Sequence, residues 1–180
     1  MVNVVADEER MLAVGRGDLG AFDEIVRRHQ GTAWRIAYRF LGDPVEAEDI
    51  TQEAFIKILT AAPRYTPSAS FSTYLYQVVT RLCIDNARKK RPVCDDRIPE
   101  SATSSPGPER SLELKDRDTL IRKTLDALPS RQRMAVILKY YEELSYSEIA
   151  AAMGTTSKAV ERMLGRARKT LQSSPGFIQT

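Results

Sequence analysis

Residues 145–171, SYSEIAAAMGTTSKAVERMLGRARKTL, decide the fold of this chain. Ser145-Tyr146-Ser147-Glu148 is a capping box: the serine hydroxyl suits the amide three residues on, and the glutamate carboxylate reaches back to the serine's own amide. Gly154 closes the short helix that follows, and Thr155 or Thr156 can cap the next one. Helix, tight glycine-containing turn, helix is the helix-turn-helix signature. In the second of these helices Val160, Leu164, Ala167 and Leu171 recur at helical spacing and must face their own domain. At about 100° per residue, Lys158, Arg162, Gly165 and Lys169 point the opposite way, flanked by Glu161 and Arg166. That face is wide enough to enter a major groove. Lys158, Glu161 and Arg162 lie near the end that docks deepest, where arginine can pair with guanine and glutamate can accept from cytosine. Arg166, Arg168 and Lys169 suit phosphates. A solvated basic face is the plainer alternative, and charge alone would favour it; the capped helix and glycine turn ahead of it reverse that preference.

Upstream, Leu114, Ile121, Leu125 and Leu128 mark a helix ended by Pro129, and Met134, Ile137, Leu138 and Tyr141 mark another. Before them the composition changes. Pro92, Pro99, Pro106 and Pro108 mingle with Gly107 and the serine- and threonine-rich run 101–105, a stretch that cannot bury a core and is expected to be a flexible linker. Its other side is helical again. Phe22, Ile25, Val26, Ala33, Ile36, Ala37 and Phe40 form a long amphipathic stripe closed by Gly42. Asp43 as N-cap, Pro44 at the first helical position and Glu46 at the third open a helix to about Thr60. After the break between Pro63 and Pro67, Phe71, Tyr74, Leu75, Val78, Val79 and Leu82 make a third stripe that runs into Arg88-Lys89-Lys90-Arg91. The expectation is an all-α chain of two small helical domains, 1–91 and 112–180, joined by a linker at 92–111, with the helix-turn-helix in the second.

Length and composition agree with this. One or two small domains fit 180 residues, and 42% hydrophobic with 28% charged residues excludes a wholly disordered chain. His29 is the one histidine and Cys83 and Cys94 are the two cysteines, so a structural zinc site or a metal-histidine enzyme cannot be assembled within one chain. Reduced thiols are expected. No cofactor and no metal is expected either. Residues 1–10 lack a basic leader with an apolar core, and no stretch approaches the roughly 18 apolar residues of a spanning helix, so a soluble, cytoplasmic protein without membrane insertion is expected.

The formal net charge of +3 names no partner, but its distribution is uneven. Residues 1–91 carry 13 basic and 12 acidic side chains, 92–111 carry 2 and 4, and 112–180 carry 12 and 8. Asp43, Glu46, Glu48, Asp49 and Glu53 form an acidic block, whereas residues 81–91 hold five bases against Asp85, which is placed to pair with Arg81 or Arg88. Two faces of opposite sign are implied. The acidic block can be a solvated face, a docking surface for a basic partner, or, least favoured with only His29 available, carboxylate metal ligands. Tyr65, Phe71, Tyr74 and Tyr76 beside the basic stretch suit a platform for unstacked bases; Phe71 and Leu75 are expected in the core and the loop 64–72 exposed.

Together these features resemble the extracytoplasmic-function (ECF) class of bacterial RNA polymerase sigma factors, over nearly the whole chain. The resemblance rests on LGDPVEAEDITQEAFIKIL (41–59), SFSTYLYQVVTRLCIDNARKK (70–90) and LPSRQRMAVILKYYEELSYSEIAAAMGTTSKAVERMLGRARKTL (128–171), in that order. It implies a promoter-specificity subunit without catalysis of its own, which binds core RNA polymerase and promoter DNA and is restrained by an anti-sigma factor. Asp49, Gln52 and Glu53, with Glu46, would meet the polymerase. Arg64, Tyr65, Ser72, Tyr74 and Arg81 would take up a minus-ten base extracted from the stack, and Arg88, Lys89, Lys90 and Arg91 would hold promoter backbone. Lys158, Glu161, Arg162, Gly165, Arg166 and Lys169 would read the minus-thirty-five element. The chain departs from the common family pattern at Ser72, Tyr74 and Arg81, where a basic residue, Trp and Asn are frequent, and at Lys158-Ala159 and Glu161-Arg162 in the recognition helix. A repressor or activator using only the helix-turn-helix, and a Mg²⁺ nuclease using Glu46, Asp49 and Glu53, are the rival classes.

Overall fold

The computed structural model describes residues 6–90 and 122–172, and all regular structure among them is helical. Helices α1 (Asp7–Gly15), α2 (Leu19–Leu41), α3 (Pro44–Ala61) and α4 (Phe71–Lys90), with a 3-10 turn at Ala62–Arg64, build an N-terminal lobe. The C-terminal lobe holds α5 (122–126), α6 (Ser130–Tyr140), α7 (Tyr146–Met153) and α8 (Ser157–Gln172). The segment 92–111 expected to be a linker lies outside the described residues, as do Arg91 and Cys94.

The chain's own end signals set these helices. Asp18 accepts the amide of Ala21 at 3.0 Å to start α2, and Gly42 at φ 81° ends it. Asp43 then accepts the amides of Val45 at 2.8 Å and Glu46 at 3.0 Å ahead of Pro44. Such an aspartate cap stabilises a helix by about 1 kcal/mol. The expected stripes become the core: Ile25, Ala33, Ile36 and Phe40 of α2, Ala54, Phe55 and Ile58 of α3, and Phe71, Leu75 and Val79 of α4 are all buried. Cys83 lies among them. Burial pushes its thiol far up, so it stays protonated and inert.

In the second lobe both halves of the Ser145–Glu148 capping box form, Gly154 sits at φ 58°, and Thr156, rather than Thr155, accepts the amide of Ala159 at 3.2 Å. Val160, Leu164 and Ala167 of α8 are buried against α6 and α7, and Leu171 packs at the edge.

Two features were not foreseen. Helix α1 is one: its acidic first turn, Asp7, Glu8 and Glu9, suits the positive end of a helix, while Met11 and Val14 are buried. The other is that the lobes touch. Helix α7 packs on α4 and α6 on α2. Gln77 donates to the Ala151 carbonyl at 3.0 Å, Arg133 donates to the Phe40 carbonyl at 2.9 Å, and Arg39 pairs with Glu142 at 3.2 Å while lying 4.4 Å over the Tyr141 ring. The Arg122 guanidinium packs onto Gly42, and a Cβ there would come within 0.9 Å of Arg122 Nη2, so a side chain at 42 would displace that guanidinium. Hydrophobic periodicity locates stripes that face a lobe's own core; these contacts use polar and small residues, which leave no such stripe.

Candidate functional site

The acidic and basic stretches of the N-terminal lobe, opposite in sign as expected, are not two separate faces. They are the two walls of one groove of about 840 Å³, with Glu46, Asp49 and Glu53 on the α3 side and Arg81, Arg88, Lys89 and Lys90 on the α4 side. Helix α3 turns Ala47, Ile50, Ala54 and Ile58 inward at every third or fourth position, which leaves Asp49, Gln52 and Glu53 exposed together. Lys90 bonds Glu46 across the groove mouth, and Lys57 pairs with Glu53 at 3.3 Å. Asp49 makes no ion pair among the described residues. Asp85 pairs with both Arg88 at 3.4 Å and Arg81 at 3.9 Å. Among the described residues no group of three or more His, Cys, Asp or Glu could hold a metal ion, and no helix is long and apolar enough to cross a membrane.

At one end of this groove the loop after the 3-10 turn encloses a second open cavity of about 750 Å³, lined by Arg64, Tyr65, Ser68, Ala69, Tyr74 and Gln77 among others. Arg64 and residues 66–70 are exposed and Phe71 and Leu75 are buried, as expected of this segment. The Tyr65 and Tyr74 rings pack against each other at a tilt of 52° with centroids 5.4 Å apart, and burial raises both phenols above the ordinary tyrosine value. The Tyr65 hydroxyl is itself buried without a hydrogen-bond partner. Ser72 is half-buried, one residue into α4, and Arg81 stands exposed in the larger groove. Tyr76 does not join the platform. It turns toward the C-terminal lobe, where burial, and then the carboxylate of Glu142, raise its phenol.

On the other lobe Lys158, Glu161, Arg162, Gly165, Arg166 and Lys169 are all exposed on one side of α8. Arg162 and Arg166, one turn apart, border a small hollow with Arg131 from the start of α6 and Thr155. Arg131 was not singled out from the sequence, since only the fold brings the start of α6 beside α8. Arg168 is exposed farther along α8, where the neighbouring Tyr140 raises its guanidinium further above the ordinary arginine value.

The sequence matches the family Sigma-70 region 2 over residues 25–93 and Sigma-70 region 4 over residues 118–171. It is 34% identical to the ECF RNA polymerase sigma factor SigW of Bacillus subtilis, a match over 92% of this chain and 94% of that protein. It is 33% identical to the ECF RNA polymerase sigma factor SigE of Mycolicibacterium smegmatis over 84% of this chain, which spans 60% of that longer relative. Among solved structures, CnrH in complex with the cytosolic domain of CnrY superposes with a TM-score of 0.70 at 25% identity, over 94% of this chain and 96% of CnrH. Helix-turn-helix lobe and grooved lobe together define a transcription-initiation factor of the sigma-70 type. The chain belongs to the ECF class of RNA polymerase sigma factors. As a sigma subunit it binds core RNA polymerase and directs initiation at a dedicated set of promoters.

Proposed function

We propose that the division of labour within this sigma subunit follows its surfaces. The domain 1–91 docks on core polymerase through Asp49, Gln52 and Glu53, with Glu46 at the edge, and takes a minus-ten base into the cavity bordered by Arg64, Tyr65 and Tyr74. Ser72 and Arg81 flank that path, and Arg88 to Lys90 hold the backbone, with Arg91 next in sequence. The domain 112–180 reads the minus-thirty-five element with α8. The observation that carries this is the groove itself: an exposed acidic wall suited to a basic partner stands beside a basic wall suited to nucleic acid, and an aromatic cavity lies at its end. The protein works in the cytoplasm and catalyses no reaction of its own.

The contact between the lobes adds a regulatory step. Elements about 25 base pairs apart lie about 85 Å apart along B-DNA, at 3.4 Å per pair. Lobes in mutual contact cannot read both, so the structure described here corresponds to a stored form that must open. The stretch 91–121 between the described parts has 31 residues, enough chain to span at most about 100 Å. An anti-sigma partner would hold the closed pair; the complex of CnrH with the cytosolic domain of CnrY supports a protein partner of this kind.

Transcription in vitro with core polymerase and a promoter library tests the reading: initiation at particular fragments should appear only when this chain is added, and its absence on every fragment would sink it. In the same assay Arg162→Ala is expected to relax base preference at one upstream position, a loss of about 1–3 kcal/mol of discrimination. Arg166→Ala should instead weaken all upstream sequences alike and lower the salt slope by about one. Matching sequence profiles for Arg162→Ala and the wild type would remove its assignment as a base reader.

A further inference from the structure

We infer that helix α1 is the strut that holds the base-reading loop in shape, and that Glu8 is a positioning residue for minus-ten recognition. This rests on the assignment of residues 64–72 as the loop that reads the minus-ten base.

Helix α1 meets both roots of the loop. At its C-terminal end Gly15 lies against the 3-10 turn from which the loop departs: a Cβ at Gly15 would stand 2.6 Å from the Ala62 carbonyl oxygen, so only glycine allows this approach. At its N-terminal end Glu8 Oε1 accepts the backbone N–H of Phe71 at 2.6 Å, where the loop enters α4. That amide is one of the unpaired donors of a helix start, and a carboxylate is a strong acceptor for it. Ser70 serves another, taking the Thr73 amide at 3.3 Å. The loop is therefore fixed at both ends by a helix nine residues long.

The strut is itself anchored. Asp7, beside Glu8, pairs with His29 Nε2 at 2.8 Å and with Arg28 at 3.4 Å, both on α2, and Met11 and Val14 bury its underside. The His29 ring lies 4.9 Å from that of Phe71, so the same contact supports the loop's far root twice. Glu8 also acts on the near root: after burial, its charge is the next largest influence raising the Tyr65 phenol. One carboxylate thus touches or polarises the residues on either side of the five-residue span 66–70, of which Thr66, Ser68 and Ala69 line the cavity. A loop with fixed roots presents few conformations to an incoming base, and the ordering cost is met before binding.

The test uses the full chain with core polymerase and a promoter library randomised across the minus-ten element, comparing wild type, Glu8→Ala, Glu8→Gln and Tyr65→Ala. Glu8→Ala is expected to flatten the minus-ten sequence profile and lower the yield of open complex about tenfold, with affinity for core polymerase and for upstream duplex unchanged. Glu8→Gln, whose amide oxygen can accept the same hydrogen bond, should restore the profile, which a general loss of stability would not do. Glu8→Asp is too short to reach Phe71 and should behave as the alanine variant does, so it carries the test if Glu8→Ala fails to fold. A wild-type profile in folded Glu8→Ala or Glu8→Asp, with Tyr65→Ala flattened, overturns the role of Glu8 alone. A wild-type profile in Tyr65→Ala as well overturns the loop assignment and this inference together.

Discussion

Asp49→Lys is expected to abolish association with core RNA polymerase, by at least about a hundredfold, while leaving the protein folded. Asp49 is exposed on α3, makes no ion pair among the described residues, and lies between Glu46, tied to Lys90, and Glu53, tied to Lys57. Its charge therefore does little for the isolated protein. Lysine is as good a helix former as the site requires, so the stability change should stay within about 0.5 kcal/mol. Against a basic partner the same exchange replaces an attraction with a like-charge contact, which costs several kcal/mol, or about two to three decades in affinity. Binding of labelled protein to core polymerase, with thermal unfolding in parallel, measures both. Unchanged association would remove the acidic wall from the docking surface. A fall in melting temperature without loss of binding would give Asp49 a structural role instead.

The double variant Arg39→Ala with Arg133→Ala is expected to open the lobes. Glu142 carries a side chain only 7% exposed, with the Arg39 guanidinium 3.2 Å away. Arg133 serves the Phe40 carbonyl, one of the unpaired acceptors at the end of α2, while its other amino group holds the Asp126 carbonyl at 3.0 Å. Removing a donor while its partner stays buried costs about 1–3 kcal/mol, so losing both should shift closure by an order of magnitude or more. Energy transfer between dyes on the two lobes should fall, and the radius of gyration in solution scattering should rise. No change in either would show that the packing of α7 on α4 holds the lobes without these arginines.

Glu142 makes the origin of the effect separable. Burial raises its carboxyl above the ordinary range, and Arg35 and Arg39 only partly oppose this. Where that side chain is solvated in the open form its pKa is the lower of the two, so the closed form binds the proton more tightly. Closure is therefore strongest below the ordinary glutamate range and weakens as pH rises through the raised value. Glu142→Gln removes the charge and the cost of burying it, and should leave the lobes closed at neutral pH, in contrast to the arginine variant.

Most of the fold was legible because the helices other than α1 announce their ends or their inner faces. Asp43-Pro44, Gly42, Gly154 and the Ser145–Glu148 box are local signals, and the structure places a helix boundary at each. The candidate surfaces were legible for a related reason: a helix whose apolar positions are known has a known outer face, and Asp49, Arg162 and Arg166 lie on theirs. Long-range polar contacts were not. Nothing in the run from Asp7 to Gly15 tells that Glu8 reaches an amide 63 positions away, because a hydrogen bond to the backbone imposes no residue type on its partner. Nor does the charge pattern of residues 43–53 and 81–91 show that the two blocks face one another across a single groove, which depends on how α3 and α4 cross.

Position 42 connects backbone geometry to supply. Its left-handed φ favours glycine, and a Cβ there would also displace the Arg122 guanidinium that reaches across from the other lobe, yet it lies on neither the acidic wall nor the outer face of α8. Any side chain there takes the place of one contact between the two halves. Substitution at this point would alter how much of the cell's stock of the factor stands ready for polymerase without altering which promoters that stock can find, so dose and target choice can drift independently in evolution.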